Sequence, residues 1–338
     1  MLPATALLDE GGALPELPVC DHYCGTEPRI RKALALQAEL GPVFDITLDC
    51  EDGAPIGAES AHARLCASIA LSADNRFGRV GARVHPVDHP SFADDVETLV
   101  GQAGDRLAYL MLPKPRHLAD LQQAIAHIEQ VASAHGCGLA LPVHALVETH
   151  GALRDVFAMA ALPRVQSLSF GLMDFVSAHC GAIPQSAMGV QGQFSHPLVL
   201  RAKLEIAAAC HAAGKVPSHC VVTEFRDDKA VADAARRASR ELGYTRMWSI
   251  HPAQIRPIVD AFAPSVAEVD EAIAILLAAQ AAQWAPIRHA QRGQDHLHDR
   301  ASYRYFWQLI QRARRTGQPL PVEAQAALFG ATVDKTLA

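Results

Sequence analysis

Short apolar runs rich in β-branched and aromatic residues alternate with alanine-rich stretches of helical period along almost the whole chain, and that alternation predicts an architecture. The runs fall at about 18–23, 43–49, 79–85, 107–112, 139–147, 165–171, 216–222 and 244–250. Helical stretches near 28–40, 57–72, 91–103, 116–135, 150–161, 196–213, 228–242 and 252–261 follow them in turn, with Pro or Gly at many of the joins. Eight strand–helix units whose strands are apolar almost throughout predict a parallel (β/α)8 barrel, the TIM-barrel form of α/β architecture, over 18–264. The competing arrangement is a doubly wound open sheet, but neither GxGxxG nor GxxxxGK[ST] occurs to announce a nucleotide loop. Residues 1–17 read as an N-terminal arm. Past Pro264 the pattern changes to a long alanine-rich helix at about 266–284 and then GQDHLHDRASYRYFWQLIQRARRTG. Residues 265–338 are therefore expected to form a C-terminal helical extension that packs on a neighbouring subunit.

Composition narrows the function classes. With 338 residues, half of them apolar, the chain can bury a large core. A formal net charge of −6 with scattered Lys and Arg gives no basic field for nucleic acid, which points to small-molecule partners. Tyr303, Tyr305, Phe306 and Trp307, interleaved with Arg304, Arg312, Arg314 and Arg315, suit a helix with a packed aromatic face better than a single-strand platform. No apolar stretch reaches the roughly 18 residues of a membrane span, and MLPATALLDEGG carries acids where a signal peptide is basic, so a cytoplasmic protein is expected. Among the eight cysteines Cys20 and Cys24 stand four apart, yet no CxxC or HExxH occurs. Reduced core thiols are expected instead of a structural zinc site.

In a parallel barrel the chemistry gathers where strands end and the following loops begin. Strand 2 ends in FDITLDCEDGAP with Asp49, Glu51 and Asp52; strand 3 in RVHP with Arg83 and His85; strand 4 in MLPKP with Lys114; strand 5 at Glu148; strand 6 in SLSFGLMDF with Asp174. Unpaired acids at the lip of an apolar barrel are costly unless cations neutralise them. Two carboxylates with the remaining positions left to water and substrate oxygens is how Mg²⁺ is usually held, and the lack of several Cys or His at these ends argues against a dedicated zinc centre.

These motifs, in order and at barrel-unit spacing, resemble the citrate lyase β-subunit branch of the HpcH/HpaI aldolase family from about residue 18 to 275. The family's "PG…P…I.KA" corresponds to CGTEPRIRKA, its "DLEDAV" to LDCEDGAP, its "R.N" to RVHP, its "PK" to MLPKP, its "IET..G" to VETHG, its "FG..D" to FGLMD and its "IHP.QI" to SIHPAQI. The resemblance implies Mg²⁺, with Mn²⁺ as the alternative, held by Glu148 and Asp174. It also implies that Arg83 clamps a 2-oxo acid and serves in catalysis, with Glu51 and Asp52 accepting from metal-bound water or from Arg83. Arg29, Lys32 and His85 then join Arg83 on the substrate. The implied reaction is reversible retro-aldol or Claisen-type cleavage of a hydroxyacyl thioester such as malyl-CoA or citryl-CoA, in a homotrimer or homohexamer. Two other readings are a metal-dependent aldolase for free 4-hydroxy-2-oxo acids and a catalytically silent binding or assembly subunit.

The sequence departs from that pattern at Cys24, at Ser60 where the family has Lys, and at His85 where it has Asn. His85 reads as a neutral hydrogen-bonding replacement or as a titrating group near the metal. Lys114 as a Schiff-base lysine is disfavoured by its flanking prolines, and His251 reads as a packed histidine because Pro252 suits a first helical turn. In related malyl-CoA lyases a late acidic residue reaches a neighbouring subunit's site as general acid. Asp299 of LHD stands at the matching point, with Asp295 its competitor and a helix N-cap its alternative role.

Overall fold

The computed structural model describes residues 1–7, 15–138, 140–291 and 294–330. All eight expected strands form: β1 Cys20–Cys24, β2 Phe44–Asp49, β3 Val80–Arg83, β4 Leu110–Leu112, β5 Val143–Val147, β6 Val165–Phe170, β7 Val216–His219 and β8 Arg246–Ser249. Each pairs in parallel with its successor, and β8 returns to β1 through Cys20↔Met247, closing the barrel. The chain opens with α1 Pro3–Leu7. The crossovers are α2 Glu27–Leu40, α3 Glu59–Leu71, α4 Phe92–Ala103, α5 Leu118–Ala134, α6 His150–Arg154 with α7 Val156–Ala160, α8 Leu172–Ser177 with α9 Pro197–Ala212, and α10 Asp228–Glu241. α11 Ile255–Phe262 follows the last strand. Residues 15–262 make this unit.

Strand alternation decides what each face carries. On β2, Phe44, Ile46 and Leu48 belong to the apolar layer shared with the helices, whereas Asp45, Thr47 and Asp49 bond to partners from other strands. The strands are thus apolar on the helix side and polar inside, a finer pattern than runs that are apolar throughout. Deep inside, Arg246 bridges Asp45 at 2.7 Å and Asp21 at 3.1 Å. Nearer the strand ends Tyr23 stacks on Trp248 with ring centroids 4.3 Å apart.

The second unit comprises residues 1–14 and 263–338. Within it α12 Val266–Ala281 begins at a capping box formed by Ser265 and Glu268. An antiparallel hairpin, β9 Ile287–Gln291 with β10 Gln294–His298, leads into α13 Arg300–Arg315, and α14 Val322–Phe329 follows. The hairpin was not expected from the sequence. Tyr303, Phe306, Trp307 and Ile310 of α13 are buried in one apolar cluster with Ile275 and Leu276 of α12, Leu328 of α14 and Leu7 of α1. That is the packed aromatic face the period of α13 predicts, with Tyr305 left exposed. The N-terminal α1 belongs to this cluster. Among the described residues no helix is long and apolar enough to cross a membrane.

Candidate active site at the strand ends

The site grows from β2. Asp49 stands level with Arg83 in the β2–β3 register, and Arg83 grips it with both arms of its fork, Nε to Oδ1 at 2.7 Å and Nη2 to Oδ2 at 2.6 Å. The chain then turns sharply, so that the backbone N–H groups of Glu51 and Gly53 donate to the same carboxylate at 3.0 and 2.9 Å. Any side chain at Gly53 would place its Cβ 2.3 Å from Asp49 Oδ2. Glu51 comes round to the third arm of Arg83 at 3.0 Å from Nη1 and to Lys114 Nζ at 2.6 Å. Of the five guanidinium N–H groups, two remain, one on each Nη. The Arg83 guanidinium also lies 4.9 Å above the Tyr23 ring.

Lys114 gathers the exposed acids. Its Nζ sits 2.8 Å from Asp52 and 3.8 Å from Asp174, and its backbone holds the left-handed φ of +50°. Burial alone would lower its pKa, but the bonds to Asp52 and Glu51 prevail and raise it well above the usual lysine range. A Schiff base needs the neutral amine, so the ion pairs oppose that chemistry.

Glu148 follows β5 directly. It is buried, and its Oε1 accepts the backbone N–H of Lys114 at 2.7 Å. Gly171 at the end of β6 makes room for it, since a Cβ there would lie 2.2 Å from Oε2. Burial first, and the negative charge of Asp174 second, push its carboxyl up to about 8. Asp174 sits in the first turn of α8. The mouth therefore assembles five carboxylates, Asp49, Glu51, Asp52, Glu148 and Asp174, around two cations, Arg83 and Lys114. A buried acid that faces a second carboxylate and is held near neutrality is the donor set that suits a hard divalent ion.

Arg83, Glu51, Asp52, Glu148 and Asp174 thus come together as the sequence predicts. Arg29 and Lys32 stand exposed in the first turns of α2, outside that ion network. His85 turns to Asp95 of α4, with Nδ1 at 2.6 Å from Oδ2, and stacks on His89. Ser60 donates to the Asp94 carboxylate, also on α4. His251 caps the 3₁₀ turn Pro252–Gln254, as its proline foretells. Asp299 is the N-cap of α13, its Oδ1 accepting from Ala301 and Ser302 at 3.0 and 3.3 Å. The Asp295 side chain lies outside the described residues. Sequence reasoning missed Asp49 as the partner of Arg83 and the Tyr23–Trp248 floor beneath it.

The HpcH/HpaI aldolase/citrate lyase family model matches residues 33–252. The chain belongs to this family. It is a carbon–carbon lyase of that group. Among curated relatives, the L-malyl-CoA/β-methylmalyl-CoA lyase of Cereibacter sphaeroides is 30% identical over 271 residues, covering 76% of this chain and 83% of that one. Among solved structures, a citrate lyase from Burkholderia xenovorans LB400 superposes with a TM-score of 0.84 at 57% identity, covering 97% of this chain and 100% of the other. The CitE protein of Mycobacterium tuberculosis, solved with magnesium, acetoacetate and coenzyme A, superposes with a TM-score of 0.65 at 22% identity, covering 89% of this chain and 99% of that chain, a likeness of fold.

Proposed function

We propose that the mouth of the barrel binds Mg²⁺ through Glu148 and Asp174 and a 2-oxo acid through Arg83, and that the enzyme cleaves a hydroxyacyl-CoA thioester of the malyl or citryl type, reversibly. The observation that carries this reading is Glu148, a buried carboxyl lifted to about 8 beside Asp174, in a mouth with more acids than cations. The malyl-CoA lyase and citrate lyase names of the relatives support the thioester substrate. When bound, the metal supplies Lewis-acid polarisation of a substrate carbonyl, or of the hydroxyl that becomes one.

The protein groups do the rest. Asp49 and Glu51 fix the guanidinium of Arg83 so that its two remaining N–H groups meet the carboxylate of the oxo acid without searching for it. Asp52 and Glu51 hold Lys114 charged at the rim. In the cleavage direction the hydroxyl proton passes to water at the mouth, the carbinol carbon becomes the carbonyl of the 2-oxo acid, and the electron pair of the broken C–C bond passes to the α-carbon of the thioester. That carbon then takes a proton from a general acid, which we assign to Asp299 of a neighbouring subunit in a homotrimer or homohexamer, with the 263–338 unit reaching across. Both cap bonds of Asp299 fall on Oδ1, so the capping role and proton donation from the other oxygen are compatible. Arg29 and Lys32 are assigned to the anionic remainder of the substrate, whereas His85, expected beside them, is already held by Asp95.

Calorimetry of Mg²⁺ binding to Glu148→Ala and Asp174→Ala, alongside a malyl-CoA cleavage assay, tests the core of this reading. Both variants are expected to stay folded and to lose Mg²⁺ binding and turnover; unchanged Mg²⁺ affinity in both overturns it. Thermal stabilisation by oxaloacetate, glyoxylate and pyruvate, each with Mg²⁺, then identifies the oxo acid.

A further inference from the structure

On the far side of β2 from Arg83 lies a second constellation of ligating groups. Cys50 follows Asp49 and faces outward by strand alternation, into the layer between the sheet and α3. His62 and Cys66 are four residues apart on α3, so the helix presents both on one face toward Cys50. The ligand atoms of the three residues all lie within 4.8 Å of one another, and all three residues are buried.

The separations carry chemical information. Cys50 Sγ is 3.8 Å from Cys66 Sγ, and Cys66 Sγ is 3.5 Å from His62 Nε2. For zinc–sulfur bonds of about 2.3 Å and zinc–nitrogen bonds of about 2.0–2.1 Å, the edges of a regular tetrahedron are about 3.8 Å between sulfurs and about 3.5 Å between sulfur and nitrogen. An oxygen stands beside the same imidazole, since the Asp49 carbonyl is 2.9 Å from His62 Nε2. Two thiols and one imidazole thus supply three of the four positions of a tetrahedral site. The donor types are soft where those of the mouth are hard, which separates the two sites by chemistry as well as by place.

We propose that Cys50, His62 and Cys66 form a binding site for a thiophilic divalent metal, Zn²⁺ in the first instance, behind the catalytic strand and independent of the carboxylate pair at the mouth. The electrostatics act in opposite directions on two of the ligands. The hydrogen bond from the Cys50 thiol, with His62 adding to it, pulls the Cys66 thiol down to about 6, toward the thiolate a metal requires, whereas the bond to Cys66 raises His62 to about 9, a proton that competes with the metal and makes binding stronger as pH rises.

Co²⁺ titration of the fully reduced, full-length protein, with saturating Mg²⁺ to fill the mouth, tests this. The expected result is one equivalent of cobalt with an intense thiolate-to-metal charge-transfer band and the visible bands of tetrahedral coordination, both erased by Zn²⁺. Cys50→Ser and Cys66→Ser are expected to lose the charge-transfer band or to bind more than about tenfold more weakly, whereas Glu148→Ala keeps it. His62→Gln leaves both thiols in place and keeps the test open should a serine variant fail to fold; circular dichroism identifies such a failure, and the His62 variant is expected to bind more than about tenfold more weakly with altered visible bands. Absence of the band in reduced protein identifies ordinary packed thiols and overturns the proposal. Persistence of the band in both serine variants does the same, by assigning it to other cysteines such as the exposed Cys180.

Discussion

Two ion clusters sit at opposite ends of the barrel, with β2 contributing to both through Asp45 and Asp49, and they solve the problem of buried charge in different ways. At the lower end Arg246 is wholly buried with Asp21 and Asp45, and Asp21 accepts further bonds from Thr47 and Tyr109 at 2.7 and 3.0 Å. One guanidinium serves two carboxylates, and burial still pushes Asp45 above the usual carboxylate range. At the upper end Arg83 and Lys114 pair with four acids, Asp49, Glu51, Asp52 and Asp174, and Glu148 stands as a fifth among them. The lower cluster is closed off from solvent, all three residues being fully buried, so it acts as a rivet. The upper cluster leaves Asp174 half exposed and Glu148 without a cation of its own. Surplus negative charge beside solvent, and not the mere presence of ion pairs, is what distinguishes a site from a scaffold.

The comparison breaks most severely if the rivet is cut. Arg246→Met leaves two buried carboxylates uncompensated and is expected to cost about 3–5 kcal/mol, read from the urea midpoint. A loss below about 1 kcal/mol would mean that the two acids are neutral in the fold and the arginine is not needed.

Next in size is Arg83→Lys, which keeps the charge but loses the fork that Asp49 and Glu51 orient. A fall of about 2–4 kcal/mol in kcat/KM for thioester cleavage is expected, with a much smaller change in the urea midpoint. If stability falls as far as activity, the upper cluster is a rivet too.

A pH series on the metal-free protein sharpens the contrast. The folded-state pKa of Glu148, about 8, lies above its ordinary value of 4.5. Its contribution to stability is therefore fully present below about pH 4.5 and is lost as pH rises through about 8. At about 1.4 kcal/mol per unit, less what relaxation at an open mouth returns, a decline on the order of 2 kcal/mol is expected, readable as a falling Tm. Mg²⁺ or Glu148→Gln is expected to flatten it, and an unaltered slope in the glutamine variant would locate the titration elsewhere.

Smallest is the cap. Asp299→Ala is expected to cost about 1 kcal/mol of stability, and Asp299→Asn only a few tenths, because asparagine caps as well as aspartate. Activity separates the roles: Asp299→Asn is expected to be inactive alone but partly active after dissociation and co-assembly with Glu148→Ala subunits. Full activity of Asp299→Asn by itself would leave only the cap.

The eight strands were legible because each lies between two covered faces, and a covered strand cannot hide its apolar residues. Their ends were less so: 244–250 shrinks to Arg246–Ser249 because the flanking residues keep the composition of a strand without its pairing. The hairpin Ile287–Gln291 with Gln294–His298 escaped notice because HAQRGQDHLH is polar and histidine-rich, with no alternation to betray a strand. The acids of the mouth could be collected from strand ends alone. The grip of Arg83 on Asp49 could not, since it depends on the register of neighbouring strands. Asp21, Asp45 and Arg246 were hidden for the same reason, the Arg246–Asp45 hydrogen bond alone joining residues 201 apart. His62 and Cys66 did carry a local signal, HxxxC on one helical face, but Cys50 joins them only through the fold.

The stack of Tyr23 on Trp248 has a practical consequence. Of the three tryptophans in the chain, Trp284 and Trp307 lie in the other unit, so Trp248 is the barrel's own fluorophore. It sits against the very ring over which the Arg83 guanidinium is poised. With Trp284 and Trp307 changed to Phe, the emission of this one indole becomes an optical gauge of what the arginine is holding, and occupancy of the mouth can be followed in real time without a label or a coupled assay.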